Sequence, residues 1–251
     1  MKSRLEQLSD QERNTIASRI FRNECGGNAD YLVHWNKGEN FMSLGIGHFI
    51  WYPTGETNIF NEVFPEFLAF AATRGVELPS FLDDFGTDGA PWPDREAFLE
   101  QQDGACAVHL RELLLSTMSV QIEFIIERTI SALEEKFSHR PMVAEKLEKV
   151  LFSPGGIYPV VDYINFKGEG VNDAESYNGC GWGLFQVLEE MPSGGDCLEF
   201  AVAAREVLRR RISNAPPERR EERWLAGWMN RIDTYTPGIK SESASEENNP
   251  H

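Results

Sequence analysis

Hydrophobic and polar positions along the chain predict a mainly helical protein with one short β segment near its start. Residues 9–24 carry Ile16, Ile20 and Phe21 at helical spacing, and Ser9 with Glu12 three residues on makes a capping-box start. Cys25-Gly26-Gly27-Asn28 stops that helix. Residues 41–53 read instead as β structure, apolar and β-branched, with Gly45 and Gly47 close together, because each glycine costs a helix interior roughly 1 kcal/mol. A loop and hairpin are therefore expected over 25–53, and a turn over 54–58. Residues 59–74 predict a helix interrupted at Pro65. Residues 79–93 are turn-rich, and their Asp83, Asp84 and Asp88 lack the ligand spacing of a calcium loop, so a surface loop is expected.

The pattern then predicts helices over 94–115 and 117–137, the second with a broad apolar face (Val120, Phe124, Ile125, Ile130, Leu133) suited to a central position. A further helix spans 141–152 and stops at Ser153-Pro154-Gly155-Gly156, and 157–166 is apolar enough to be buried. Residues 177–188 alternate glycines with larger residues (Gly179, Gly181, Gly183) before another helix begins, which lets the backbone pass close to a ligand or another segment. Residues 196–211 form an amphipathic helix ending in Arg209-Arg210-Arg211. Residues 218–235 form a last helix with Trp224, Leu225, Trp228 and Ile232 inward. From 238 the chain is Ser-, Glu- and Asn-rich and is expected to be disordered.

The 251 residues suffice for a full core, and 41% hydrophobic with 25% charged residues is ordinary for a globular chain. No apolar run approaches the length of a membrane span, so no transmembrane segment is expected. Nor is a signal peptide visible: the expected location is the cytoplasm, or the periplasm or exterior if a signal was removed. The net charge of −16 argues against nucleic acid as a partner and makes an anionic polymer an awkward one. Cys25, Cys106, Cys180 and Cys197 form no CxxC pair. Free buried thiols are expected, with Cys25–Cys180 or another bridge as the alternative after export; no metal or cofactor is expected.

Glu24 continues the Ile16–Ile20 row at the last turn of its helix. There a carboxylate faces a negative helix end and apolar neighbours, which both favour the protonated acid. A helix ending in Glu24, a loop, and then Ser43-Leu44-Gly45-Ile46-Gly47-His48 resembles the catalytic half of lysozyme-like glycosidases of the phage endolysin type. Gly183-Leu184-Phe185-Gln186 resembles the Gly-Leu-Met-Gln motif of lytic transglycosylases and goose-type lysozymes. Gly227 to Ile232 resembles the closing helix of phage-type lysozymes. The Glu175-Ser176 pair resembles the transglycosylase Glu-Ser but lies too close to the glycine loop for that role.

This resemblance implies an α+β, lysozyme-like helical domain over 1–237, two lobes around a cleft lined by a small β-hairpin, followed by the tail at 238–251. It implies cleavage of a β-1,4 amino-sugar polymer such as cell-wall peptidoglycan, by hydrolysis or by transglycosylation, with Glu24 as general acid. The family's second acid falls near Asn36, which is uncharged, so Glu39 and Glu169 are the candidate second carboxylates. Ser43, Gly45, Gly47 and Gln186 would border the sugar, and Trp35, Trp51, Tyr52 and Trp182 would offer ring faces. His48 is expected to be a hydrogen-bonded structural residue in the same cleft. The rival reading is a non-catalytic glycan- or partner-binding protein that keeps the cleft, favoured by the negative charge, the missing signal and the missing second acid in the family position. An enzyme acting inside the cell on a soluble saccharide is a third.

Overall fold

The computed structural model describes residues 8–56, 61–82, 89–172, 176–192 and 195–236. The expectations for Asp83, Asp84, Asp88, Glu175 and the tail lie outside them. The fold is mainly α with small antiparallel sheets, and the described residues gather into two compact units divided between Ala132 and Leu133. No helix among them is long and apolar enough to cross a membrane.

In the first unit, α1 (Asp10–Cys25) begins at the anticipated capping box, Ser9 bonding the Glu12 amide and the Glu12 carboxylate reaching back to the Ser9 amide. It ends at Gly26, whose φ of +58° only glycine adopts without strain. A 3₁₀ turn (Ala29–Leu32) leads to β1 (Val33–His34), β2 (Met42–Leu44) and β3 (Phe49–Trp51), one antiparallel sheet in that order, with Ser43 opposite both His34 and Ile50. The β segment over 41–53 is thus two strands around a turn, and a third strand from the preceding loop joins them.

Helix α2 (Phe64–Thr73) packs on β3 through Phe64 against Trp51 and Phe67 against Phe49. Pro65 lies in its first turn rather than interrupting a helix, because an amide there has no partner to lose. The pattern over 94–115 proves to be two helices, α3 (Arg95–Glu100) and α4 (Ala105–Ser116), since the chain turns at Gly104 before restarting. Helix α5 (Met118–His139) supplies Phe124, packed edge-on against both Phe49 and Phe67.

In the second unit, α6 (Pro141–Phe152), α7 (Ile157–Lys167), α8 (Leu184–Glu190), α9 (Cys197–Asn214) and α10 (Leu225–Asp233) surround a core that includes Tyr163, Leu184, Phe200 and Ile232. A two-residue hairpin joins β4 (Ser176–Tyr177) to β5 (Cys180–Gly181). Asn178 and Gly179 both take positive φ, the geometry such a turn requires, and the hairpin packs on α9. The expected single helix over 218–235 is instead two 3₁₀ turns (Pro217–Arg219 and Glu221–Trp224) followed by α10. Arg220 takes φ +50° between the two turns, and Glu221, next in the chain, is buried rather than facing solvent.

Candidate functional site

Glu24 stands in the last turn of α1, and its Oε2 lies 3.0 Å from His48 Nε2. The Glu24 side chain is 11% exposed and that of His48 47%, so the pair has one half-buried and one open partner. The bond runs from imidazole N–H to carboxylate or, with the acid protonated, from O–H to the ring nitrogen. Burial, and then the negative charge of Glu24, push the neighbouring Cys25 thiol up to about 11, which leaves it inert.

His48 holds this position at φ +48°, unusual for a residue with a side chain. The surrounding turn is fixed from several directions. The Gly45 amide donates to Leu32 O at 2.8 Å, and the Ile46 amide donates to Gln121 Oε1 at 2.9 Å. Gln121, fully buried on α5, in turn donates to Leu114 O at 2.7 Å. Gly45 has φ +69°, and a Cβ there would stand 2.3 Å from Gln121 Oε1; at Gly47 it would stand 2.3 Å from the packed Phe49 ring. These glycines let the turn close against Gln121 of α5 and the Phe49 ring of β3. Ser43, buried in mid-sheet, lies on the strand leading into it.

The Glu39 carboxylate accepts a hydrogen bond from Asn36 Nδ2 at 3.0 Å, and its carbonyl accepts one from Trp35 Nε1 at 2.9 Å. With Trp35, Asn40, Glu56 and Arg95 it lines a pocket of about 350 Å³. Trp35, Trp51 and Tyr52 are 2%, 0% and 2% exposed. Their rings lie against Phe98, Phe64 and Phe41, which corrects the expectation that they present faces to a sugar. Trp51 Nε1 is buried without a hydrogen-bond partner among the described residues.

In the second unit, Gln186 is a brace. Its Oε1 accepts from the Gly183 amide at 2.9 Å and its Nε2 donates to Gly170 O at 3.2 Å. The amides of Leu184 and Phe185 donate to the carbonyls of Gly168 and Glu169. A Cβ on Gly183 would stand 2.2 Å from Gly170 N. The alternating glycines therefore bring two stretches of this chain together, and that close approach is internal. Glu169 is half-buried in this junction. Trp182 is corrected like the other rings: it is 9% exposed, packed against Tyr177 and lying 4.0 Å from the Arg211 guanidinium.

Sequence reasoning missed a cluster centred on Glu221. Its carboxylate accepts from Arg211 Nε at 2.7 Å, Tyr177 OH at 2.8 Å and Arg219 Nε at 3.2 Å, with its side chain wholly buried. The Arg211 bonds hold its carboxyl down at about 2 against its desolvation, with Tyr177 assisting. Nearby, the buried Asp162 accepts from Arg231 at 2.8 and 3.0 Å and from Tyr235 OH at 2.7 Å. Lys167, at the end of α7, lies 3.6 Å from the centre of the Trp228 ring and 4.0 Å from that of Phe166. Burial first, then the charge of Arg211, push its amine down to about 7. The signals in the sequence were the Trp224–Trp228 spacing and Arg211 in the basic triplet, each of which fits a plain core or a solvated helix end equally well.

All four cysteines are free, Cys25 buried and the other three half-buried. Among the described residues no group of three or more His, Cys, Asp or Glu is placed to hold a metal ion. Comparison of the chain with models of protein families, with curated proteins and with solved structures gives no match, so geometry and the motifs alone carry the functional reading.

Proposed function

We propose that this chain is a lysozyme-like glycosidase or lytic transglycosylase that cleaves a β-1,4 amino-sugar polymer of the peptidoglycan type, with Glu24 as its general acid. The observation that carries this reading is the contact between Glu24 and His48, which joins the helix-terminal carboxylate to the Gly-Ile-Gly-His turn. A largely buried carboxyl beside an imidazole can hold a proton, give it to a leaving glycosidic oxygen and regain it, which is the work of a general acid. The strained and braced backbone at His48 keeps the pair aligned without help from substrate. Glu39 is the candidate second carboxylate in the same unit; where water is not activated, Glu24 acts as acid and then as base, and the sugar's own hydroxyl closes the ring.

The test is mass spectrometry of purified peptidoglycan incubated with the protein and with Glu24→Gln. Fragments released only by the unmutated protein support the reading; anhydro ends would identify transglycosylation and reducing ends hydrolysis. The second reading, a non-catalytic binder, is favoured by the packing of all four candidate platform rings into the protein. It predicts that both proteins sediment with the polymer and release nothing.

A further inference from the structure

A cavity of about 710 Å³ lies in the first unit, and none of the residues lining it belongs to the glycan reading. One wall is a face of α4, where Cys106, His109, Leu113 and Ser116 follow one another at helical spacing. The other wall is the stretch after α2 that carries Glu77, Pro79 and Phe81. It closes in a turn in which the Leu82 amide donates to Pro79 O at 2.9 Å. The rings of Phe81 and His109, one from each wall, lie 26° from parallel with centroids 6.5 Å apart.

The chemistry of this cavity is one-sided. Pro79, Phe81 and Leu113 give it apolar surface, its two carboxylates are Glu77 and Glu112, and no lysine or arginine lines it. Both glutamates are exposed, and neither has an ion-pair partner among the described residues. Other carboxylates of the same unit are paired: Glu123 meets Arg13 and Arg74, and Glu127 meets Arg74. An apolar hollow edged by unpaired carboxylates, on a chain of net charge −16, disfavours anions and suits a cation with an apolar body. Small-molecule sites run from about 300 to 1,000 Å³, so a compact aromatic amine has room here.

We propose that this cavity binds small aromatic primary amines, the ammonium held by Glu77 and Glu112 and the ring laid against Phe81 and His109. Exposed carboxylates and ring contacts give weak binding, so a Kd on the order of 1 mM is expected. No covalent step is involved. Cys106, a free and half-buried thiol in the cavity wall, reports occupancy because a bound ligand covers it.

The experiment uses the full chain and 2-phenylethylamine. Calorimetry measures binding, and iodoacetamide labelling followed by peptide mass spectrometry locates it. Cys180 and Cys197, half-buried in the second unit, are internal comparators. The amine should slow alkylation of Cys106 saturably and leave Cys180 and Cys197 unchanged. 2-Phenylethanol keeps the ring but loses the charge, and should need about 10-fold higher concentration for the same protection. Phenylacetate should give none. Replacing both exposed carboxylates, Glu77→Gln with Glu112→Gln, should weaken amine binding by about the same 10-fold. Neither heat nor protection at about 10 mM amine would overturn the proposal. So would binding that leaves Cys106 unprotected, protection by phenylethanol equal to that by the amine, or undiminished binding in the double variant. None of these readouts depends on whether the protein cuts glycan.

Discussion

Two carboxylates, Glu24 in the first unit and Glu221 in the second, show how differently one chain can treat the same functional group. Glu24 meets an imidazole, whose ring nitrogen can donate or accept a hydrogen bond; Glu221 meets two guanidiniums, which only donate, and a phenol. The Glu24 pair opens to solvent through a half-exposed His48, whereas Glu221 is wholly covered. One arrangement suits proton transfer. The other fixes a permanent anion that ties β4, α9 and a 3₁₀ turn together, so a strongly perturbed carboxyl here signals structure rather than chemistry.

The largest expected effect comes from Glu24→Gln, which should lower glycan cleavage by about 10²–10⁴-fold, the usual span for a lost general acid, with thermal unfolding almost unchanged. A comparable loss of cleavage in Glu221→Gln, at unchanged stability, would break the contrast drawn above.

Glu221→Gln should instead cost on the order of 3 kcal/mol in urea unfolding, because a half-buried Arg211 loses its wholly buried counter-charge. The sign with pH follows from a folded value of about 2 against an ordinary 4.5. The stabilisation from Glu221 is complete above about pH 4.5 and is lost as pH falls through 2, so the gap between the two proteins should narrow over that window.

Gly45→Ala sharpens the comparison by attacking the turn rather than the acid. The new methyl meets Gln121 Oε1 at positive φ, and a loss of about 2 kcal/mol is expected in the same unfolding experiment. The His48 resonance in a histidine-selective NMR spectrum should move with it; an unmoved resonance would show that Gln121 does not hold the His48 turn. Smallest is Ser9→Ala, which removes the cap of α1 at the far end from Glu24 and should cost about 1 kcal/mol while leaving the His48 resonance in place.

Local signals in the sequence carried α1 from its capping box to Gly26, and α6 with its bounds unchanged, because caps, stops and period are properties of adjacent residues. They also marked Glu24 and the Gly-Ile-Gly-His stretch as neighbours of interest, since a helix end and closely spaced glycines are both readable over a few residues. That stretch reads as strand, yet it is the turn between β2 and β3. What they could not supply was the partner of each group. Gln121 lies 75 residues beyond the amide it accepts, and Arg231 lies 69 beyond Asp162. Burial was misjudged for the same reason: Trp35, Trp51, Tyr52 and Trp182 look alike whether a ring faces sugar or core. Only tertiary packing decided that they face the core, that Gln186 braces two backbones, and that Lys167 shares its rings with two arginines. Periodicity and capping act within one turn of chain, whereas desolvation and ion pairing depend on what distant segments bring alongside.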